Sequence, residues 1–151
     1  MSTRHRAREI ALQILYRYDV SAQAGGMEAP RDTKLIEDLN GHFEHFQTPE
    51  NIRSFTAELV SGTLRDRAVL DEMLEKHAAN WRVSRMGLID RNLLRMATYE
   101  MLHFPDIPAT VTIDEAIELS KQFGTQESPS FINGILEAIK TERETTLKTS
   151  S

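Results

Sequence analysis

Apolar residues recur at three- and four-residue intervals through nearly the whole chain, the repeat that gathers them on one side of a helix. Period-two alternation, the mark of a half-buried strand, is nearly absent, so the pattern predicts an all-α fold of about seven helices. These are expected over residues 4–21, 33–45, 49–65, 67–79, 84–103, 112–123 and 129–143. Gly25, Gly26 and Pro30 mark a loop, Thr48-Pro49 restarts a helix with a cap followed by proline, and Pro105 and Pro108 bracket a turn.

Projected on a wheel, Ala7, Ile10, Ala11, Ile14, Leu15 and Tyr18 share the apolar arc of the first helix, and His5, Arg6, Glu9, Gln13, Tyr16 and Arg17 share the opposite one. Arg4 and Arg8 fall near the edge of the apolar arc, in opening turns that need not be buried. Further on, Thr112 followed by Glu115 reads as a capping box, and Gly124 as a left-handed stop after the Ala116, Ile117, Ser120 and Phe123 stripe. Ser128 suits an N-cap and Pro129 a first helical position, giving a stripe of Ile132, Ile135, Leu136 and Ile139. Phe131 lies at the edge of that stripe, where core and partner contact are both open to it. Ile14, Leu59, Leu93, Ile117 and Ile135 are expected to be buried.

A length of 151 residues fits one compact domain or two very small subdomains sharing a core. A helical domain is expected over residues 1–145 with a disordered tail over 146–151. With no cysteine, disulfides, thiolate metal sites and a cysteine nucleophile are excluded. No transmembrane run is present; the Arg-rich opening has the amphipathic look of a transit peptide, but Glu9 and Asp19 argue against one. A cytoplasmic location is expected.

A net charge of −5 argues against nucleic acid only until its distribution is examined. Residues 3–18 carry Arg4, Arg6, Arg8 and Arg17 against Glu9 alone, whereas residues 26–50 are acidic. Arginine offers a permanently charged planar fork to phosphate and can stack on bases. Cations at a helix N-terminus oppose the macrodipole, so helix stability does not explain them. The residues alone leave a polyanion site and a solvated helix start both open.

Other clusters are weaker. His42 and His45 share a helical face, but zinc needs three or four protein ligands and no further cluster is evident; no metal site is expected. Glu100 falls inside the apolar arc of Ile89, Leu93, Met96 and Ala97, a placement that fits a structural hydrogen-bond acceptor better than a catalytic acid lacking companions. Asp114, Glu115 and Glu118 fit a charged first turn. The sequence holds no P-loop, GxGxxG, nucleophile elbow or HExxH pattern, so neither catalysis nor a cofactor is expected.

Three blocks, RAREIALQILY over 6–16, IDRNLLRMATYE over 89–100 and IDEAIELSKQFGTQESPSFINGILEAI over 113–139, resemble in order and spacing the NusB family of bacterial transcription antitermination factors. The likeness covers nearly the whole chain and is weakest over residues 24–47. It implies two small packed three-helix bundles and a non-enzymatic RNA-binding factor. NusB-like domains also occur fused to RNA methyltransferases, whose Gly-rich α/β segment this sequence lacks.

The resemblance further implies pairing with NusE, a small-subunit ribosomal protein, on single-stranded boxA RNA of ribosomal RNA leaders. The pair would then act on RNA polymerase with other Nus factors. RNA contact is carried over to Arg4, His5, Arg6 and Arg8, with further contributions from His77, Gln126, Glu127 and Phe131. His5 stands at a position that is often arginine, and His77 where an RNA-stacking tyrosine occurs. Tyr16 and Asp90 match the partner side. Both monomers and homodimers occur in the family. The alternatives are a helical protein–protein module with no RNA role and a small hydrolase built on Glu100.

Overall fold

The computed structural model describes residues 3–25, 32–79 and 81–150, and their side chains apart from 32 and 146–150. Among them, α1 (Thr3–Gln23), α2 (Asp32–His45), α3 (Glu50–Arg65), α4 (Arg67–His77), α5 (Leu88–His103), α6 (Ala109–Phe123) and α7 (Ser128–Ser150) are helical, with a 3₁₀ turn at Val83–Arg85. No strand occurs among the described residues. The chain divides into two units, Met1–Arg65 and Asp66–Ser151.

In the first unit α1 and α2 both pack on α3. The α1 stripe of Ala7, Ile10, Ala11, Ile14 and Leu15 is buried, as are Ile52, Leu59 and Val60 of α3. Tyr18 is only half-buried and donates its hydroxyl hydrogen to Asp38 of α2. The end of α2 is a Schellman motif without its usual glycine. Thr48 N–H donates to Phe43 O at 2.8 Å and Gln47 N–H to Glu44 O at 3.1 Å, with Gln47 at φ 51°. Thr48 does not cap α3 as expected: its hydroxyl is buried with no hydrogen-bond partner among the described residues, while its carbonyl accepts from Arg53 Nε at 2.9 Å. Most of the glycine-marked loop lies outside the described residues, although Gly25 is in the left-handed region at φ 80°.

The second unit is built around α5, which packs with α4, α6 and α7 and is buried without interruption from Arg91 to Met101. A helix enclosed on all sides has to satisfy its polar groups internally. Asn92 Nδ2 donates to Leu88 O at 2.8 Å, and Arg95 reaches both Asp71 oxygens at 2.6 and 3.0 Å, a fork that ties α5 to α4. Glu100, 1% exposed, accepts from the Thr112 hydroxyl at 2.5 Å.

Several helix ends differ from those expected. Helix α5 starts at Leu88, because Met86 and Gly87 are extended (ψ 152° and 150°) after the 3₁₀ turn. That tight turn lets Val83 and Met86, three apart, both reach the core. Helix α6 starts at Ala109 after Pro108, so Thr112 lies inside the helix, and its hydroxyl serves Glu100 instead of a capping box. The buried face of α6 is Ile113, Ala116, Leu119 and Ser120, leaving Ile117 half-buried. Helix α7 continues through Ser150, past the end expected at 143. No glycine or proline intervenes after Gly134, and the Thr141 and Thr145 hydroxyls bond back to Glu137 O and Thr141 O within the helix.

Candidate nucleic-acid interface

The first turn of α1 contains no acid, and its cations divide into distinct roles. Arg4 is exposed and places its guanidinium 5.1 Å from the centroid of the Phe55 ring on α3. Arg8 approaches the same ring at 5.5 Å but is only 3% exposed. Of the two arginines that the wheel places near the edge of the arc, in turns that need not be buried, Arg4 is exposed and Arg8 is buried. Phe55 from α3 covers Arg8, and the arrangement gains cation–π attraction in a partly desolvated place. Arg6 is exposed and pairs with Glu9 at 2.5 Å, one turn on. A surface pair of this kind is worth about 0–1 kcal/mol, little enough for a phosphate to displace the carboxylate. His5 is half-buried.

Tyr16 stands outward on α1, 37% exposed. Its neighbour Arg17 lies over Phe46 at 4.9 Å and meets His45 Nε2 at 3.3 Å. His42 stacks on Phe46, presents an edge-to-face contact to Tyr18 and pairs with Asp38 at 3.3 Å. Burial lowers its pKa first, helped by Arg17 and His45, while Asp38 opposes the shift. Burial and the Asp38 hydrogen bond push the Tyr18 phenol well above its ordinary range. These histidines are therefore engaged with carboxylate, guanidinium and rings. Among the described residues no three His, Asp or Glu side chains are grouped to hold a metal.

In the second unit Gln126 and Glu127 are exposed in the turn between α6 and α7. That turn is fastened by Ser128, whose Oγ accepts from Thr125 N–H at 2.9 Å and lies 3.2 Å from Thr125 Oγ1. The Ser128 hydroxyl thus closes the turn behind it instead of capping forward. Gly124 is extended (φ −93°, ψ −163°), not left-handed. Glycine is needed there for space: a Cβ would stand 2.5 Å from Ser128 Oγ and 2.8 Å from Ser120 O.

Phe131, half-buried at the start of α7, meets Trp81 edge-to-face at 6.1 Å. His77 does not offer an open ring for stacking. Its side chain is 17% exposed and its Nε2 meets Glu142 Oε2 at 2.5 Å, while Lys76 holds the other carboxylate oxygen at 2.6 Å. Hydrogen bonds from Lys76 and then His77 hold the Glu142 carboxyl below its ordinary range. Asp90 is half-buried in the first turn of α5. The sequence-derived residues thus fall into an arginine end and Tyr16 in the first unit, and a turn-and-aromatic surface and Asp90 in the second. Phe55 and Trp81 were missed. Trp81 carried a signal, an aromatic next to Arg82 and Arg85, whereas nothing local marked Phe55 as the cover of two arginines.

The described residues thus form an all-α fold that carries exposed cations and aromatic rings. The NusB family model matches residues 5–141. Transcription antitermination protein NusB of Desulforapulum autotrophicum is 44% identical over 140 residues, 93% of this chain and 92% of that protein. Its counterpart in Geotalea uraniireducens is 43% identical, over 92% and 94% of the two chains. The chain therefore belongs to the NusB family, whose relatives here are antitermination factors and not enzymes. Among solved structures, T. maritima NusB superposes with a TM-score of 0.79 at 31% identity, covering 92% of this chain and 91% of that one. A structure of antitermination factors NusB and NusE in complex with dsRNA shares the fold, with a TM-score of 0.77 at 23% identity over 94% and 98% of the chains. No helix among the described residues is long and apolar enough to cross a membrane.

Proposed function

We propose that this chain binds single-stranded boxA RNA of ribosomal RNA leaders jointly with NusE, and that the pair acts in the cytoplasm on RNA polymerase with other Nus factors to suppress termination. The observation that carries the reading is the opening of α1. Arg4 and Arg6 stand exposed at a helix N-terminus with no acid in its first turn, on a chain of net charge −5. Since cations at that end oppose the helix dipole, a polyanion gives them a purpose that local stability does not. Family membership supports the same reading.

In this reading Arg4, His5 and Arg6 meet phosphates, and Arg8, covered by Phe55, braces Arg4 through the shared ring. Gln126, Glu127 and Phe131 contact bases, the amide and carboxylate by hydrogen bonds and the ring by stacking. His77 acts at the edge through its pairing with Glu142. Tyr16 and Asp90 face NusE, where an acidic group suits a basic ribosomal protein. An equilibrium titration of labelled boxA RNA with this chain, with NusE and with both tests the proposal. Tighter binding by the pair than by either protein is expected, because each adds RNA surface and fixes the other's orientation. Equal affinity of NusE for RNA with and without this chain would contradict it and leave a helical protein–protein module.

A further inference from the structure

Trp81, the one tryptophan of the chain, is 52% exposed. The core does not need its indole. Val83 and Met86 from the same segment are buried at 2% and 6% and anchor it, and Trp81 N–H donates to Ala78 O at 2.8 Å. The ring is nonetheless held in place, with the Phe131 ring 6.1 Å away at an interplanar angle of 71°. Such an edge-to-face contact supports one ring with another while leaving indole surface open. Arg82 and Arg85 follow Trp81 in the chain, both exposed, and residues 81–86 contain no carboxylate.

An open ring beside cations matches what single-stranded nucleic acid requires, a π-face for a base and positive charge for the adjoining phosphates. A protein partner could also cover a tryptophan, but two exposed arginines in a segment whose residues 81–86 hold no acid favour a polyanion. We propose that Trp81 is a base-stacking residue for single-stranded RNA, with Phe131 bracing its edge and Arg82 and Arg85 of the same segment meeting the adjoining phosphates. This rests on the RNA-binding reading above and adds a contact to it.

The test uses the full chain with NusE and single-stranded boxA RNA, reading affinity by titration and stacking by tryptophan emission, to which this chain contributes only Trp81. Saturation with RNA should quench the Trp81 emission. Trp81→Ala and Trp81→Leu should each weaken RNA binding by about 5- to 150-fold, the range lost when a stacking aromatic is removed, with the salt slope unchanged. Trp81→Phe should stay close to the parent, since a ring remains. Arg82→Ala with Arg85→Ala should instead flatten the log–log salt slope by about 1.4, from two contacts at about 0.7 each.

A Trp81→Leu variant that binds RNA like the parent, or unquenched emission at saturation, would overturn the stacking role while leaving RNA binding intact. Loss of NusE association with RNA affinity retained would also overturn it, in favour of a protein contact. A parent chain that binds no RNA with or without NusE would overturn the underlying reading as well.

Discussion

Thr112 and Glu100 meet through a buried hydrogen bond, Thr112 Oγ1 to Glu100 Oε2 at 2.5 Å, joining α6 to the enclosed helix α5. A carboxyl group at 1% exposure requires such partners, since each one lost leaves a buried polar group unsatisfied. Thr112→Val should cost about 1–3 kcal/mol of stability, and Glu100→Gln a similar amount. Because the two side chains share one bond, the double variant should cost less than the sum, with a coupling of about 0.5–3 kcal/mol in a urea-denaturation cycle. Strict additivity would show that Glu100 is satisfied without Thr112.

Gly124 and Gly134 offer the same substitution with opposite expected signs. A Cβ at 124 meets the buried, hydrogen-bonded Ser128 side chain at 2.5 Å and a backbone carbonyl at 2.8 Å, neither of which yields easily. Gly124→Ala should therefore cost about 1–3 kcal/mol by overpacking. At Gly134, inside α7, nothing lies within 4 Å of a Cβ, and alanine should stabilise by about 0.5–1 kcal/mol. Melting temperatures of the two variants decide the point; a Gly124→Ala variant as stable as the parent would refute the steric argument there, and a destabilised Gly134→Ala the argument from open space.

His42 gives the first unit a pH dependence of defined sign. Its pKa is lowered from the ordinary 6.5, mainly by burial, so the folded state prefers the neutral ring and holds fewer protons than the unfolded chain. The contribution is complete above that ordinary value and is lost as pH falls through the lowered one. Tyr18, Asp38, Arg17, His45 and Phe46 surround the ring, and Asp38 limits the loss by favouring the charged form. Denaturation midpoints should fall between about pH 7.5 and about pH 5.5, and His42→Phe should make that fall shallower. Parallel profiles for parent and variant would exclude His42 as the source.

Helical periodicity was legible in α1 and α5, although Tyr18 of the α1 stripe and Ile117 of α6 are only half-buried. The α1 stripe and the enclosed Glu100 both follow from the wheel, because burial there repeats with the helix turn. Side chains whose partners are distant in sequence were not legible. Thr112 looked like a cap because only its local neighbours could be seen, while its bond goes twelve residues back to Glu100. The wheel leaves Arg8 at the edge of the arc because it contains no Phe55, and Gly124 reads as left-handed because a glycine wanted for space and one wanted for positive φ are the same letter. Trp81 lay between two expected helices, where periodicity assigns no face.

The most direct test of the RNA-binding claim is the salt dependence of boxA RNA affinity, in the presence of NusE, for the parent chain and for Arg4→Ala with Arg6→Ala. Arg8 is left intact because it is buried against Phe55 and its removal would disturb packing as well as charge. Two phosphate contacts at about 0.7 each should flatten the log–log slope by about 1.4 and weaken binding most at low salt, with NusE association unchanged. An unaltered slope and full affinity in the double variant would contradict the assignment of the α1 arginines to RNA.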